Sequence, residues 1–441
     1  MPERKRVAVL ADSDTRWKWG ALTARRLVPD HQLTGFLLRG RATPTARQLG
    51  EVGVRADRLS EVTCAEFLAE IERERYDVVV LALVGGAVQA VLHGARALWP
   101  APAARPVLVT GYVGVVYEKL ADGLLLRHGA DLVLANSRHD AERFRAVYEG
   151  VGADAAAVTE TALPFLGGAP YEPAGSRAHT VVFAVQPSVP DSRADRAYLL
   201  ERAAGHARLH PGREVLIKLR SKPGEHTTHL EEQPYQRLAE KIPGGLPANC
   251  RLVYGNMGEV LDGTDLLVTV SSTAALESLH RSIPTAILTD LGIREALGNH
   301  HFLGSGCMAS WDQIDSGLLP EGDPVWLAAQ GVLPAQGADP QEGADAYAVA
   351  RAKVAALMAT TRLPAPAPYY TRTTAPGYLP GILARHHLAP DGTPLPGALR
   401  PEAGESRLRR RLRAHLREAA RGAYRHGVQR VAPVIRRLGE L

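Results

Sequence analysis

Three consecutive hydroxyl residues, Ser271, Ser272 and Thr273, separate a predicted strand from a predicted helix. Hydroxyl side chains cap helices well, and the first amides and the positive dipole end of a helix can bind a phosphate. Glu277 follows Thr273 by four residues, on the same helix face, where its carboxylate can bond a sugar or ribose hydroxyl. An ordinary helix cap has the same composition. This segment alone is therefore consistent both with phosphate binding and with helix capping and no ligand.

Two basic residues and two histidines follow an earlier predicted strand in the same half of the chain. Lys218 and Arg220 are two residues apart at the strand end, so both side chains point to the same side of the strand. The forked guanidinium group of an arginine suits a phosphate. A solvated strand edge is the alternative. His226 and His229 have a spacing that metal ligands can share, but no third ligand motif lies near them. We therefore predict that these side chains contact the phosphate groups of a ligand and that no metal is bound.

A carboxylate-rich loop comes directly after the first predicted strand. Asp12, Ser13 and Asp14 lie there, and an open parallel sheet binds ligands at the carboxyl ends of its strands. A carboxylate at this point can deprotonate a hydroxyl nucleophile. Asp14 is the predicted base and Asp12 the second choice, while Ser13 and Lys18 are predicted to contact the acceptor, the molecule that carries this hydroxyl. The alternative is that Asp12 caps the next helix.

A glycine-containing segment is predicted to line a ligand cleft together with that loop. Gly111 and Gly114 allow the backbone to approach a ligand closely, and Glu118 is another candidate base. Arg127 and His128 follow in the same segment and can also face the cleft.

The elements that position these residues alternate between strands and helices. The run from Asp77 to Leu83 is rich in β-branched residues and is typical of a strand in a sheet covered on both faces. Such alternation predicts parallel α/β sheets. In the first half we predict strands at 6–11, 33–38, 77–83, 107–110 and 131–135, and helices at 17–27 and 64–75.

The alternation stops once and then restarts. Residues 164–176 are rich in proline and glycine, which indicates a linker. After it we predict strands at 180–185, 214–219, 251–254, 266–270 and 285–289, and helices at 193–209, 235–241 and 273–280. The predicted division is an N-terminal domain at 1–165, a linker at 166–178, a C-terminal domain at 179–361, a proline-rich segment at 362–402 and a basic amphipathic helical tail at 403–441.

The positive charge of the chain is concentrated at its C-terminal end. Residues 401–441 contain eleven arginines and four glutamates, a net charge of +7. The whole chain carries +5, so residues 1–400 sum to −2. Nucleic-acid binding by the body of the protein is therefore not predicted. An arginine-rich amphipathic helix can bind an anionic membrane surface, and a solvated helix packed on the body is the alternative.

Cysteine usage and hydropathy indicate the compartment. Cys64, Cys250 and Cys307 lie far apart, so no disulfide framework and no metal knuckle can be built from them. No run of eighteen apolar residues exists, and the apolar run near the N-terminus is too short for a signal peptide. We expect a protein of the reducing cytoplasm, held peripherally at the inner face of the membrane if the basic tail binds lipid.

Four segments carry a resemblance to a known family: FAVQPSVPDSR at 183–193, HPGREVLIKLRSKPGEHTTH at 210–229, VTVSSTAALESL at 268–279 and AILTDLGI at 286–293. They resemble the GT-B glycosyltransferases, and most closely a group of actinobacterial members. The last three are also similar to capsule Kdo transferases and to sialyl- or polysialyltransferases. In the capsule enzymes a His-Pro pair often follows the strand, whereas here His210 and Pro211 precede it. We place Gln186, in the first segment, among the acceptor or cleft residues.

The resemblance implies an α/β protein of the GT-B type, with two Rossmann-type doubly wound parallel-sheet domains that face a cleft. It also implies a donor nucleotide bound by the C-terminal domain. No DxD motif occurs in a useful context, as expected where helix dipoles and basic side chains stabilise the leaving group. We predict a metal-independent glycosyltransferase with a nucleotide-sugar as substrate and no further cofactor. CMP-ulosonic acid is suggested by the resemblance, and UDP- and GDP-sugars are alternatives.

The predicted acceptor is a glycan or lipid-linked glycopolymer of the cell wall or cell surface. Two other functions stay open. A sugar-nucleotide epimerase would use the same two-domain scaffold without an acceptor. A non-catalytic scaffold would use the basic tail to bind a membrane or a partner.

Overall fold

The structure is a computed structural model that describes residues 4–40, 42–115, 120–222, 225, 231, 233–333 and 345–398. The described residues form two compact units. The first unit contains the chain up to Phe165 together with Ala329–Gly331 and residues 345–398. The second unit contains Leu166–Ala328 and residues 332–333. The predicted basic tail at 403–441 lies outside the described residues.

The first unit is built on a seven-stranded sheet in which every pairing is parallel, in the order β3-β2-β1-β4-β5-β6-β7. The strand order reverses between β1 and β4, and such a switch point is where open α/β sheets bind ligands. The strands are β1 (Lys5–Ala11), β2 (His31–Leu38), β3 (Arg58–Val62), β4 (Val78–Ala82), β5 (Val107–Gly111), β6 (Leu132–Ala135) and β7 (Val158–Glu160).

Helices cover both faces of this sheet. Alternate residues of β1 belong to opposite cores, with Ala8 and Leu10 on one face and Val7 and Val9 on the other. All of them are fully buried, which explains the continuous apolar runs in the sequence. The helices between the strands are α1 (Asp14–Leu27), α2 (Ala46–Val52), α3 (Cys64–Arg73), α4 (Gly85–Leu98), α5 (Leu120–Leu125) and α6 (Arg138–Gly150).

The second unit repeats this plan with a six-stranded parallel sheet in the order β10-β9-β8-β11-β12-β13. Its switch point lies between β8 and β11. The strands are β8 (His179–Ala184), β9 (Arg213–Lys218), β10 (Cys250–Val253), β11 (Leu266–Thr269), β12 (Thr285–Leu288) and β13 (Met308–Ala309). The helices are α7 (Arg193–Leu209), α8 (Tyr235–Ala239), α9 (Met257–Leu261), α10 (Ala274–His280), α11 (Trp311–Asp315) and α12 (Pro324–Ala329).

Two later helices, α13 (Ala348–Ala359) and α14 (Leu379–Arg385), return to the first unit. Tyr347, Ala350 and Val354 pack into the core on one face of the first sheet. The sequence placed this stretch in a C-terminal domain ending at 361, and the structure corrects that boundary. A helical pattern shows which face is apolar but not which sheet that face will cover.

Residues 362–398, which include α14, run along the first unit, and we call them the strap. Unit-one arginines hold it through its carbonyl groups. Arg105 donates to the Pro364 carbonyl at 2.7 and 2.9 Å, and Arg96 donates to the Pro366 carbonyl at 2.8 Å. The proline-rich composition of the strap fits this arrangement, because prolines lack N–H groups and offer only carbonyls for pairing.

An aspartate directly before a parallel strand recurs four times in the two sheets. Each one donates its own N–H to a carbonyl of the neighbouring strand and accepts, through its carboxylate, the N–H of the same residue. The ladder therefore gains one more paired residue at its beginning. The carboxylate bonds are Leu33 to Asp57 (2.7 Å), Arg6 to Asp77 (2.8 Å), Leu108 to Asp131 (2.7 Å) and Thr180 to Asp265 (2.8 Å).

None of the helices in the described part of the chain combines the length and the apolar character that crossing a bilayer requires.

Candidate functional site

Gln186 spans the switch point of the second unit. It follows β8, and its Oε1 accepts hydrogen bonds from Ser271 N at 3.1 Å and from Ser271 Oγ at 3.3 Å, at the end of β11. The two strands that flank the crevice are thus joined at their carboxyl ends by one amide side chain. Gln186 was predicted only as a cleft residue, and its position follows from the strand order, which the local sequence does not reveal.

The hydroxyl segment after β11 has its three side chains in different environments. Ser271 is 2% exposed, and its hydroxyl also bonds the Leu297 carbonyl. Ser272 and Thr273 are half-buried, and Ser272 Oγ accepts from Ala274 N at 3.2 Å. Ser271 therefore fixes a loop, and only its two neighbours present hydroxyls outward.

Most amides at this point already have acceptors. Besides those of Ser271 and Ala274, the amide of Ser272 donates to Thr269 Oγ1 at 3.2 Å. No described residue accepts from the Thr273 N–H, so a single amide remains for a ligand. The sequence predicted that several unpaired backbone amides would bind a phosphate. In the structure only the Thr273 amide is available among the described residues, because side chains accept hydrogen bonds from the other amides.

Two basic residues lie at the same edge of the second sheet: Lys218 ends β9, and Arg220 follows it by two residues. Lys218 is 8% exposed, and its Nζ donates to the Leu219 carbonyl at 2.8 Å. Arg220 is half-buried, and Glu277 is buried on α10. A buried ammonium group is a strong donor to an anion, because it is poorly hydrated. His226 and His229 lie outside the described residues.

A buried ion pair that the sequence did not single out shapes the loop after β8. Arg196 is 1% exposed and donates to Glu231 Oε1 at 2.6 Å. The same guanidinium donates to the carbonyls of Gln186 (3.1 Å) and Pro187 (3.1 Å). Burial raises the pKa of Glu231 to about 7, against the opposing effect of Arg196. This arginine sits within an ordinary helical pattern, so only its burial identifies it.

The first unit has an equivalent side chain at its switch point. Asp12 follows β1, and its Oδ2 accepts from Val84 N, after β4, at 2.9 Å. Its Oδ1 accepts from Arg16 Nη1 at 2.9 Å. One carboxylate oxygen therefore joins the two chain segments that flank the switch point, and the other holds Arg16 of α1. Ser13 Oγ accepts from Arg16 N and caps α1, a role that the sequence had considered for Asp12.

The remaining predicted acceptor residues lie along the same edge of the first sheet. Asp14 is a buried residue of the first turn of α1, and Thr15 donates to it at 3.4 Å. Lys18 is half-buried, with its ammonium 4.9 Å from the centre of the Phe165 ring. Gly111 ends β5, where any Cβ would collide with the Leu134 carbonyl at 2.8 Å. Glu118 lies outside the described residues.

Arg127 and Asn136 organise the carboxyl ends of β4, β5 and β6. Arg127 is 5% exposed, and it donates to the carbonyls of Leu83 (3.2 Å) and Gly111 (3.0 Å). Asn136 donates to the carbonyls of Tyr112 (2.7 Å) and Gly114 (3.4 Å). The Gly114 carbonyl thus accepts from a side chain that directly follows the next strand of the sheet.

His206, His210 and Asp315 have side-chain ligand atoms within 4.8 Å of one another, as metal ligands can have. The hydrogen bonds give a simpler account. His206 Nδ1 donates to Asp315 Oδ1 at 2.6 Å, and its Nε2 accepts from Arg213 at 3.3 Å. Arg202 binds the same carboxylate at 3.0 Å. A guanidinium on the carboxylate and a second guanidinium on the imidazole disfavour a further cation here.

The two doubly wound parallel-sheet units define the GT-B fold class. A UDP-glucosyltransferase from Polygonum tinctorium is similar in structure, with a TM-score of 0.52, 13% identity and coverage of 81% of this chain and 99% of its own. A UDP-N-acetylglucosamine 2-epimerase from Rickettsia bellii is similar too, with a TM-score of 0.53, 12% identity and coverage of 80% of this chain and 97% of its own.

The family described as "Putative glycosyltransferase (DUF6716)" matches residues 7–347, and the chain belongs to that family. No curated protein matches the sequence at a significant level. The family and the fold together make this chain a glycosyltransferase-like enzyme.

Proposed function

We propose that the protein transfers a sugar from a nucleotide-sugar to a glycan or lipid-linked glycopolymer, without a metal ion. The observation that carries the proposal is the crevice at the β8–β11 switch point of the second unit. Gln186 fixes its two sides, and the half-buried Ser272 and Thr273 lie at its edge. Switch points of open parallel sheets are the sites where nucleotides bind.

Donor phosphate would be bound by three groups. The Thr273 N–H has no acceptor among the described residues, the Ser272 hydroxyl retains its hydrogen for donation, and the Lys218 ammonium lies at the end of β9. Hydrogen-bond donors and a cation stabilise the negative charge that develops on a departing phosphate, which is the task a metal performs in other enzymes. Arg220 is the further basic residue proposed here, and Glu277 is proposed to bond a sugar or ribose hydroxyl.

The acceptor would bind at the first unit, with Asp14 as the base. Asp12 is the weaker candidate, since both of its oxygens already accept hydrogen bonds. Deprotonation of an acceptor hydroxyl by Asp14 as it attacks the sugar would make the oxygen a competent nucleophile. A cell-wall or surface glycopolymer is the proposed acceptor, and the inner face of the membrane is the proposed place of reaction.

Calorimetric titration with CMP-, UDP- and GDP-sugars tests the donor. Ser272→Ala should weaken donor binding by about fivefold to tenfold, because one hydrogen bond to phosphate is lost. Ser310→Ala is the matched control: Ser310 caps α11 through the same kind of bond, so both variants should lose about 1 kcal/mol of stability. Only Ser272→Ala should lose affinity. A wild-type protein that binds none of these sugars contradicts the donor proposal, and equal affinity in both variants removes Ser272 from the site.

An epimerase is the second candidate, because the epimerase from Rickettsia bellii shares this fold to the same extent as the glucosyltransferase. Each candidate donor incubated alone with the protein separates the two functions. An isomerised sugar-nucleotide without any acceptor supports the epimerase. Binding without isomerisation, followed by consumption when a glycopolymer acceptor is added, supports transfer. A chain that neither binds nor converts any of them fits the non-catalytic scaffold.

A further inference from the structure

One buried guanidinium holds the loop that follows β8. Nη1 of Arg196, on α7, donates to the carbonyls of Gln186 (3.1 Å), Pro187 (3.1 Å) and Pro190 (3.2 Å). In the described part of the chain, residues 186–190 form no hydrogen bond between backbone groups. Pro187 and Pro190 have no N–H to donate. Arg196 therefore supplies hydrogen bonds that this loop does not make for itself, and it fixes the backbone of Gln186.

The same guanidinium reaches the loop that follows β9. Its Nη2 donates to Glu231 Oε1 at 2.6 Å, and Glu231 Oε2 accepts from Ser221 Oγ at 3.4 Å. Ser221 lies three residues after the end of β9 and is 4% exposed, and its carbonyl accepts from Gln236, on α8, at 2.9 Å. The loops after β8 and β9 are thus joined through one arginine–glutamate pair.

The link depends on hydrogen-bond acceptors and does not require a charge on Glu231. Burial raises the pKa of Glu231 to about 7, against the opposing effects of Arg196, Ser221 and Arg220. Near neutral pH the carboxyl is therefore present in both protonation states, and in either state an oxygen can accept from the guanidinium. A glutamine at this position retains such an oxygen, whereas a leucine does not.

We propose that Arg196 is a positioning residue of the donor crevice. By fixing the Gln186 backbone it holds the Gln186 amide group on Ser271, and through Glu231 it ties this loop to the loop that contains Arg220. Arg196 is 1% exposed, so it acts through these residues and not on the donor itself. The inference rests on the proposed donor site, and it makes the shape of that site depend on one buried side chain.

Arg196→Lys in the full chain keeps the positive charge and removes the fork that reaches several acceptors at once. Arg105→Lys is the matched control. Arg105 is also a buried arginine that pairs with a carboxylate, that of Asp131, and it donates to the carbonyls of Pro106 and Pro364 in the first unit. Both variants should lose stability in urea unfolding, so a difference between them at the crevice is not an effect of stability alone.

The Ser271 amide reports on the crevice without any ligand, since it donates to Gln186 Oε1. Its hydrogen exchange, measured where each protein is folded, should be at least about tenfold faster in Arg196→Lys than in the wild type. In Arg105→Lys it should be unchanged. Wild-type exchange in Arg196→Lys overturns the proposal. Equal acceleration in both variants overturns it as well, because the crevice would then respond to stability and not to Arg196.

A pair of substitutions at Glu231 provides a second test, which also serves if Arg196→Lys does not fold. Glu231→Gln keeps an acceptor for Arg196 and should leave the exchange of the Ser271 amide as in the wild type. Glu231→Leu removes the acceptor and should accelerate that exchange. A role in charge compensation alone would make the two variants alike, since both lack the carboxylate. Two variants that behave alike overturn the proposed link.

Donor affinity tests the consequence for function. Titration calorimetry with UDP-glucose, GDP-mannose and CMP-N-acetylneuraminic acid identifies a nucleotide-sugar that the wild type binds. Arg196→Lys and Glu231→Leu should bind it about threefold to tenfold more weakly, because the loop must then be ordered as the donor binds. Arg105→Lys and Glu231→Gln should bind it as the wild type does.

The inference and the proposed function fail in different ways. Wild-type affinity in Arg196→Lys overturns the inference and leaves the proposed function intact. A wild-type protein that binds none of the three nucleotide-sugars contradicts the proposed function. The exchange of the Ser271 amide then decides by itself whether Arg196 fixes the crevice.

Discussion

Replacing Gln186 by glutamate tests the donor crevice most directly, because it changes charge while keeping an acceptor in place. The Ser271 amide can still donate to a carboxylate oxygen as it does to Oε1, so stability should change by less than about 0.5 kcal/mol. A donor phosphate in the crevice would meet the new negative charge. At about 8 Å and an effective dielectric constant of about 20, one pair of charges costs about 2 kcal/mol, or about thirtyfold in affinity.

Gln186→Leu separates the two effects. It leaves the buried Ser271 N–H without an acceptor and should cost about 1–3 kcal/mol of stability, with a smaller loss of donor affinity. Gln313→Glu is the matched charge control, since Gln313 Oε1 also accepts from a backbone amide, that of Ser310, at 2.9 Å on α11. Titration calorimetry with the nucleotide-sugar and urea unfolding of all three variants provide the comparison. A Gln186→Glu protein that folds normally and binds the donor as tightly as the wild type would refute the placement of the donor in this crevice.

Two other predictions concern stability. Asp265→Asn should destabilise the second unit by about 2–3 kcal/mol in urea unfolding, because Asp265 binds Thr180 N and both terminal nitrogens of the partly exposed Arg177. Stability should also fall as pH drops below about 6.5, the ordinary pKa of histidine. Burial lowers the pKa of His206, against the opposing effect of Asp315, so the unfolded chain takes up the proton first. His206→Gln should flatten this slope in unfolding curves at pH 5.5, 6.5 and 7.5.

Each of these has a control. Asp77 holds the same position in the first unit, but its partner Lys5 is half exposed, so Asp77→Asn should cost less than Asp265→Asn. Equal losses of stability in the two variants would contradict the view that the Arg177–Asp265 ion pair accounts for the difference between them. For the pH dependence, a slope that is unchanged in His206→Gln would assign it to the other histidines with lowered pKa values: His31, His93, His179 and His386.

The strands and helices were largely predictable, because a strand that is buried on both faces of its sheet appears in the sequence as a continuous apolar run. The helix at 193–209 has the predicted bounds, and the strands expected at 266–270 and 285–289 end one residue early. The helix Gly85–Leu98 was not predicted; it begins with two glycines and has no capping side chain. The seven-residue helix α2 and the half-exposed strand β3 were missed for lack of an apolar run.

The site was less predictable, because it depends on which strands become neighbours. The sequence indicated Asp12 and Ser271 as separate residues beside strand ends. Their real partners, Val84 and Gln186, lie 72 and 85 residues away. The same holds for the strand-opening aspartates, whose local pattern is only an acid before an apolar run. Pairing across such separations is a property of the sheet order and not of any segment.

The return of α13 and the strap to the first unit has a consequence for synthesis. Tyr347, Val354, Leu379 and Leu383 are core residues of a unit whose sheet is finished by residue 160. A ribosome adds about 5–20 residues per second, so roughly 10–50 s separate the emergence of that sheet from the arrival of its last core side chains. During that interval the nascent first unit has apolar surface that its own later residues must cover. We therefore expect chaperones to bind the nascent first unit during this interval rather than after release.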